Sequence, residues 1–402
     1  MSAPTRESGV LLHVSSLPSG RIDDEAYRFV DWLVAAGQSW WQLLPLHPPD
    51  ALASPYASRS AFAGYEGLLA LPGSPFFDDG AGVAGAPRGR WVDEWVTFAG
   101  GDERRAQTRF QREWRALKRY ANERGIRLIG DIPLYVSGDS CDVATHPHLF
   151  DRSVVAGAAP SLNHPDGQRW GMPVFDWPTH AADGFTWWLE RLERELELCD
   201  LLRIDHFRGF VQFWQLALDE LDPANGSWGE GPGRAFFDVI RERFERLPLI
   251  VEDLGFITPD VIALREEIGV PGMNVVARAA DADWRTDSVL YTSTHDSETL
   301  AGWWQRWGRE NHPQLAAGAT APDDEHRALL QNILAVENDL VILSAQDLLG
   351  LGNEARMNRH GTVHPHNWQW KLERRLTTDE ARWLASLTRF AERDGPRVTH
   401  AR

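Results

Sequence analysis

Three acidic residues stand at the ends of apolar, β-prone runs. Asp205 follows Leu201 to Ile204 in RIDHFRG, Glu252 follows Pro248 to Val251 in PLIVEDLG, and Asp296 closes SVLYTSTHD. A carboxylate that attacks carbon and a carboxylic acid that protonates a leaving oxygen together perform a two-step displacement. That is the chemistry of retaining glycoside cleavage, which sets the two carboxyl groups about 5–5.5 Å apart. A third carboxylate can bind the hydroxyls of a distorted sugar ring. Arg203 and His206 flank Asp205; such neighbours keep a carboxylate ionised, which suits a nucleophile. His206 and His295 can also donate to sugar oxygens. Each acid alone reads as an ion-paired or loop-capping residue. Their repetition at three strand ends, twice with an adjacent histidine, favours a catalytic cluster.

Such residues need a scaffold that gathers distant stretches on one face. The separations of 47 and 44 residues between the three acids each leave room for a strand, a helix and a loop. Eight β-type runs are legible: Gly9 to Ser15, Trp40 to Leu46, Ile126 to Val136, Leu201 to Ile204, Pro248 to Gly255, Gly272 to Arg278, Ser288 to Asp296 and Leu340 to Leu349. Helical patterns separate many of them, among them Asp24 to Gly37, Glu103 to Arg124, Trp187 to Leu198, Arg234 to Leu247 and a helix opened by Thr258-Pro259. This alternation predicts an α/β fold, a (β/α)8 TIM barrel whose strand ends open on the active-site face. One catalytic domain is expected over residues 1–402, with loop or helical subdomains inserted at about 47–125 and 137–200. Ser137 to Asp183 reads as loop-rich. Gly226 to Gly233 reads as a loop at the barrel rim, since it lacks the Lys-Ser/Thr of a phosphate-binding P-loop.

Composition narrows the partners. A net charge of −17 argues against nucleic acid and anionic membrane and suits a neutral substrate. The 19 tryptophans include rings suited to the flat apolar faces of sugars, although most are expected in the core. Two cysteines, Cys141 and Cys199, make neither a disulfide framework nor a metal cluster, and no cofactor is expected. The first residues lack the apolar stretch of a signal peptide, and no run reaches membrane-spanning length, so a cytoplasmic protein is expected.

Ordered runs along the chain resemble the 4-α-glucanotransferases (amylomaltase or disproportionating enzyme), glycoside hydrolase family 77 of the α-amylase superfamily. They include His13-Val-Ser-Ser-Leu-Pro18, Trp41-Gln-Leu-Leu-Pro-Leu46, Ser54-Pro-Tyr56, Gly130-Asp-Ile-Pro-Leu-Tyr-Val136 and Gly167-Gln-Arg-Trp-Gly171. Arg203 to Gly209, Glu252-Asp-Leu-Gly255, Thr294-His-Asp296, Gln346 to Gly352, Glu354 to Asn358 and Asn367-Trp368 complete the series. The resemblance implies Asp205 as nucleophile, Glu252 as general acid/base and Asp296 as transition-state stabiliser. It places Arg203, His206 and His295 around the sugar, Tyr56 at the barrel mouth, Trp170 in a mobile active-site loop spanning Gln168 to Trp177, and Asp281 near an acidic family position. The implied substrates are α-glucans and maltooligosaccharides, in maltodextrin, glycogen or starch metabolism.

The chain also departs from the family. Tyr65-Glu66, Met172 and Ser297 replace usual residues, and the stretches after Pro18, before Glu103 and between the sixth and seventh strands are short. These changes lie on loops and spare the three acids, so they bear on substrate length and acceptor choice and imply fewer remote sugar subsites. Alternatives are a related retaining hydrolase, a transferase to an unusual small acceptor, and a maltodextrin-binding protein without catalysis. Intact acids speak against the last.

Overall fold

Twelve strands form two sheets in the computed structural model, which describes residues 6–161, 165–278, 284–321 and 324–394. In chain order they are β1 (Glu7–Leu11), β2 (Trp40–Gln42), β3 (Arg127–Ile132), β4 (Phe150–Ala158), β5 (Gln168–Phe175), β6 (Leu201–Ile204), β7 (Gln212–Ala217), β8 (Ser227–Glu230), β9 (Leu249–Val251), β10 (Gly272–Val275), β11 (Ser288–Tyr291) and β12 (Leu340–Ser344). Eight run in parallel in the order β10-β11-β12-β1-β2-β3-β6-β9. The outer two meet where Val251 N–H donates to Pro271 O at 3.0 Å, which brings the sheet round into a barrel. All eight expected strands are present, and the fold is the α/β barrel expected.

Alternation along each strand divides the core. Leu11, Ile129, Ile250, Met273, Val289, Tyr291 and Ile342 pack together inside the barrel. Their neighbours Val10, Leu12, Leu128, Val251, Leu290, Val341 and Leu343 face outward into the layer shared with the helices. Helices Asp24–Ala35, Glu103–Glu123, Thr186–Leu198, Pro259–Ile268 and Thr378–Phe390 supply that outer layer. Asp23 caps the first through its carboxylate, which accepts from Glu25 N–H, and Thr377 with Glu380 forms a capping box on the last.

Several strands end earlier than the apolar runs predict. Beyond β11, Thr292 still makes backbone bonds on both sides, its N–H donating to Ile342 O at 3.0 Å and its O accepting from Ala277 N–H at 3.1 Å, and a hydroxyl takes over two residues later, where Ser297 Oγ accepts from Thr294 N–H. β12 likewise gives way to helix Ala345–Leu348, capped by Ser344.

Two loop expectations need correction. Ser137 to Asp183 contains β4 and β5, and the Gly226 to Gly233 segment contains β8. With β7 they form an antiparallel sheet in the order β5-β4-β7-β8. The glycines that resemble breakers are sites of close approach. A Cβ on Gly157 would lie 2.3 Å from Gln168 O, and one on Gly229 would lie 2.5 Å from the Phe213 ring.

Candidate active site

The barrel register delivers the three acids to one end. Asp205 continues the β6 ladder, its N–H donating to Ile132 O at 2.9 Å, and Glu252 continues β9, its N–H donating to Ile204 O at 2.9 Å. Asp296 comes from the turn after β11. All three line one cleft of about 950 Å³, together with Tyr56, Trp170 and His206. Arg203 and His295 do not line it; at 3% and 6% exposed they sit beneath the carboxylates. Asp281 lies outside the described residues.

Arg203 is the hub. Its Nη1 donates to Asp131 Oδ1 and Oδ2 at 2.7 and 2.9 Å and to Asp205 Oδ1 at 3.1 Å, and its Nη2 lies 3.1 Å from Glu252 Oε2. Three carboxylates around one guanidinium keep it protonated against its burial. Asp205 and Glu252 are in hydrogen-bonding contact with each other, so both cannot be ionised cheaply. Burial, then the Glu252 charge, pushes Asp205 well above the usual carboxylate range. Burial also acts on Glu252, but Arg203 and the His206 N–H outweigh it and hold Glu252 at about 2. The pair's proton therefore rests on Asp205. This corrects the expectation that Arg203 and His206 keep Asp205 ionised: the second Arg203 nitrogen and the His206 amide are aimed at Glu252.

His206 adopts a left-handed backbone, φ 51°, unusual for a residue with a side chain. The turn points its N–H at Glu252 Oε2, 2.9 Å away, a charge-assisted bond that offsets the strain. Burial lowers the His206 imidazole to about 4, so it is neutral at pH 7 and adds no positive charge beside Asp205.

Asp296 is the ionised partner in the cleft. Burial would raise it, yet His295 and His360, with a hydrogen bond from Asn358, hold it well below the usual range. Asn358 Nδ2 donates to Asp296 Oδ1 at 2.6 Å, and His295 Nε2 lies 3.2 Å from Oδ2. Tyr56 stacks on His295 with ring centroids 4.6 Å apart, and its hydroxyl donates to Asp131 Oδ2 at 2.7 Å. It is thus wired into the Arg203 cluster as well as bordering the cleft. Trp170 lies in β5, an ordered strand where a loop was expected, and meets the His206 ring edge-on at 4.8 Å. Its Nε1 donates to Gln168 Oε1 at 2.8 Å.

Sequence reasoning left Asp131, Asn358 and Trp368 without roles. All three lie in quoted motifs, but only the fold shows that Asp131 faces Arg203, that Asn358 reaches Asp296, and that Trp368 tilts against Tyr56 at 5.5 Å. Among the family departures, Met172 lines the cleft, whereas Ser297 supports the Asp296 turn through Thr294.

A parallel barrel with paired carboxylates at the C-terminal ends of its strands, beneath an open cleft, has the layout of a barrel enzyme able to cleave glycosidic bonds. A maltogenic alpha-amylase from Thermotoga neapolitana shares the fold, with a TM-score of 0.54 at 13% identity over 98% of this chain and 77% of that one. The glycoside hydrolase family 77 model, described as 4-alpha-glucanotransferase, matches residues 12–79 and 103–377, and the chain belongs to that family. The 4-alpha-glucanotransferase of Aquifex aeolicus is 33% identical over 468 aligned positions, 92% of this chain and 96% of the relative. With only 402 residues here, roughly a hundred of those positions have no counterpart, the mark of a shortened member. The amylomaltase from Streptococcus agalactiae, solved in complex with acarbose, superposes with a TM-score of 0.86 at 28% identity, covering 97% of this chain and 100% of that one. No helix among the described residues is long and apolar enough to cross a membrane.

Proposed function

We propose that this 4-α-glucanotransferase works by retaining transfer of glucosyl or maltooligosyl units between α-1,4-glucans or to glucose, with Asp205 as nucleophile, Glu252 as acid/base and Asp296 as stabiliser. The observation that carries the assignment is the hydrogen-bonded Asp205–Glu252 pair held by one buried arginine. Such contact is far short of the roughly 6.5–9.5 Å of an inverting pair, and an entering sugar opens it towards the about 5–5.5 Å of a retaining one.

In the first step the Asp205 carboxylate attacks the anomeric carbon, the C1–O4 bond breaks, and the Glu252 carboxyl gives its proton to the departing O4. In the second step Glu252 takes the proton of an acceptor 4-hydroxyl, that oxygen attacks C1, and Asp205 leaves as carboxylate. The cycle begins with the proton on Glu252, so the shared proton must cross from Asp205 as the sugar enters. Hydroxyls donating to Asp205 favour that crossing, because they stabilise its ionised form. Asp296, ionised throughout, faces the positive charge that develops on the ring. Neutral His206 and the Tyr56 and Trp170 rings supply contacts around the sugar. We place the enzyme in the cytoplasm.

Incubation with maltotriose, with products separated by length, tests the reading. Transfer yields glucose together with chains longer than maltotriose, and proton NMR of the first product shows the α-anomer. Glucose and maltose alone would make the protein a hydrolase, and a β-anomer appearing first would exclude the double displacement.

A further inference from the structure

Beside the cleft stands a group of aromatic rings that the catalytic reading does not use. Trp228 of β8 and Phe256 lie nearly parallel, with centroids 6.1 Å apart and planes 21° apart. The Arg208 guanidinium sits over both, 4.0 Å from the Trp228 ring and 5.0 Å from the Phe256 ring. Arg208 is 5% exposed; its Nη1 donates to Phe256 O at 2.9 Å and to Thr258 Oγ1 at 3.3 Å, while its Nε has no hydrogen-bond partner. The cation thus fixes two rings in one orientation. Trp214 meets Trp228 edge-on at 5.0 Å. Phe256 is 53% exposed, which leaves part of its ring open to a ligand.

We propose that Trp228, Phe256 and Trp214 form a shelf for an α-glucan chain running out of the catalytic cleft, an inference that rests on the glucanotransferase reading. One contact ties the shelf to the cleft, and two sequence positions place it on the segments that carry the acids. Arg208 lies three residues beyond Asp205 and Phe256 four beyond Glu252, so the catalytic loops themselves carry it. Trp214 Nε1 donates to the carbonyl of Pro223, and Pro223 lines the cleft. The chemistry suits a neutral glucan. Near-parallel rigid rings match the apolar C–H faces that recur along the chain, and a net charge of −17 disfavours a polyanion. A shelf outside the cleft helps only chains long enough to reach it. The dependence on donor length should therefore be shallow among short maltooligosaccharides and rise for polymers.

The test is Phe256→Ala, a change at an exposed ring that leaves the fold intact, checked by an unchanged melting temperature. The quantity read is the ratio of kcat/KM for soluble amylose to that for maltotriose. It should fall about tenfold, the equivalent of about 1.4 kcal/mol; a ratio within about twofold of the unsubstituted enzyme would overturn the shelf. Electrophoresis through glycogen-containing gels supplies a readout that needs no turnover. The Asp205→Asn variant should be retarded and the Asp205→Asn, Phe256→Ala double variant released. Equal mobility of the two overturns the shelf even if the transferase reading holds. An absence of transfer products from maltotriose would instead strike the transferase reading while the gel still reports on the shelf.

Discussion

Arg203→Met removes the charge that three carboxylates share while leaving a side chain of similar length. Arg203 is 3% exposed and contacts Asp131 at 2.7 Å, Asp205 at 3.1 Å and Glu252 at 3.1 Å. Glu252 gives the magnitude. Its carboxyl is held at about 2 against an ordinary 4.5, and Arg203 is the main force lowering it against burial. Returning it only to the ordinary value costs on the order of 3 kcal/mol at about 1.4 kcal/mol per pKa unit, in line with the roughly 3–5 kcal/mol for breaking a buried ion pair. The sign follows from proton binding. In the unsubstituted protein, Glu252 binds its proton less readily folded than unfolded. Its contribution is therefore full above about pH 4.5 and is lost as pH falls towards about 2. In the variant, burial drives the carboxyls up, so the folded chain holds protons that the unfolded chain releases, and stability drops as pH rises. The melting-temperature gap between the two proteins should be about 4 °C at pH 7 and about 1 °C at pH 2.5, for an unfolding entropy of roughly 2 cal/mol/K per residue. Calorimetry at both pH values measures it, alongside kcat/KM on maltotriose, which should fall at least about a thousandfold because Asp205 stays protonated. A gap independent of pH, or activity within tenfold of the unsubstituted enzyme, would show that Arg203 does not set the charge of the pair.

Asp205→Asn and Glu252→Gln should each abolish transfer, with kcat down by roughly 10²–10⁴ or more; near-normal turnover by either purified variant on any α-glucan substrate would remove it from the displacement. Asn358→Ala deletes the 2.6 Å bond to Asp296. Loss of a charge-assisted bond worth about 1.5–3 kcal/mol should lower kcat roughly 10- to 100-fold with little change in KM, whereas an unchanged kcat would mean that Asp296 is oriented without it.

The barrel and the convergence of the three acids on one cleft were legible because they rest on short-range signals. Runs such as Leu340 to Ser344 are buried on both faces and read as apolar throughout, and each acid follows its run directly or after one turn. The antiparallel sheet was illegible because its strands carry glycine where another chain segment passes close, and single-sequence patterning reads those glycines as breaks. The charge state of Asp205 was illegible for a different reason. Its sequence neighbours Arg203 and His206 suggest an ionised carboxylate, but which carboxylate they serve depends on β9, which brings Glu252 alongside. Asn358 and Trp368 reach the site from a segment beyond the last barrel strand, where no periodicity reports direction.

The register of three adjacent strands accounts for the charge arrangement around Arg203. Asp131 on β3 is paired directly with Arg203 on β6, which fixes the buried ion pair one rung below the cleft. Side chains on a strand alternate, so the residue two positions beyond Arg203 returns to the same face one rung higher, and that residue is Asp205. Ile204 pairs with Val251 on β9, which sets Glu252 beside Asp205 on the upper rung. A slip of one residue in either pairing would turn one member of the cluster out of the barrel and leave the remaining buried charges uncompensated, at a cost of several kcal/mol. The Arg-Ile-Asp spacing is therefore a structural specification as well as a catalytic one. The cation below must lie within reach of both carboxylates above for the pair to hold one proton rather than two.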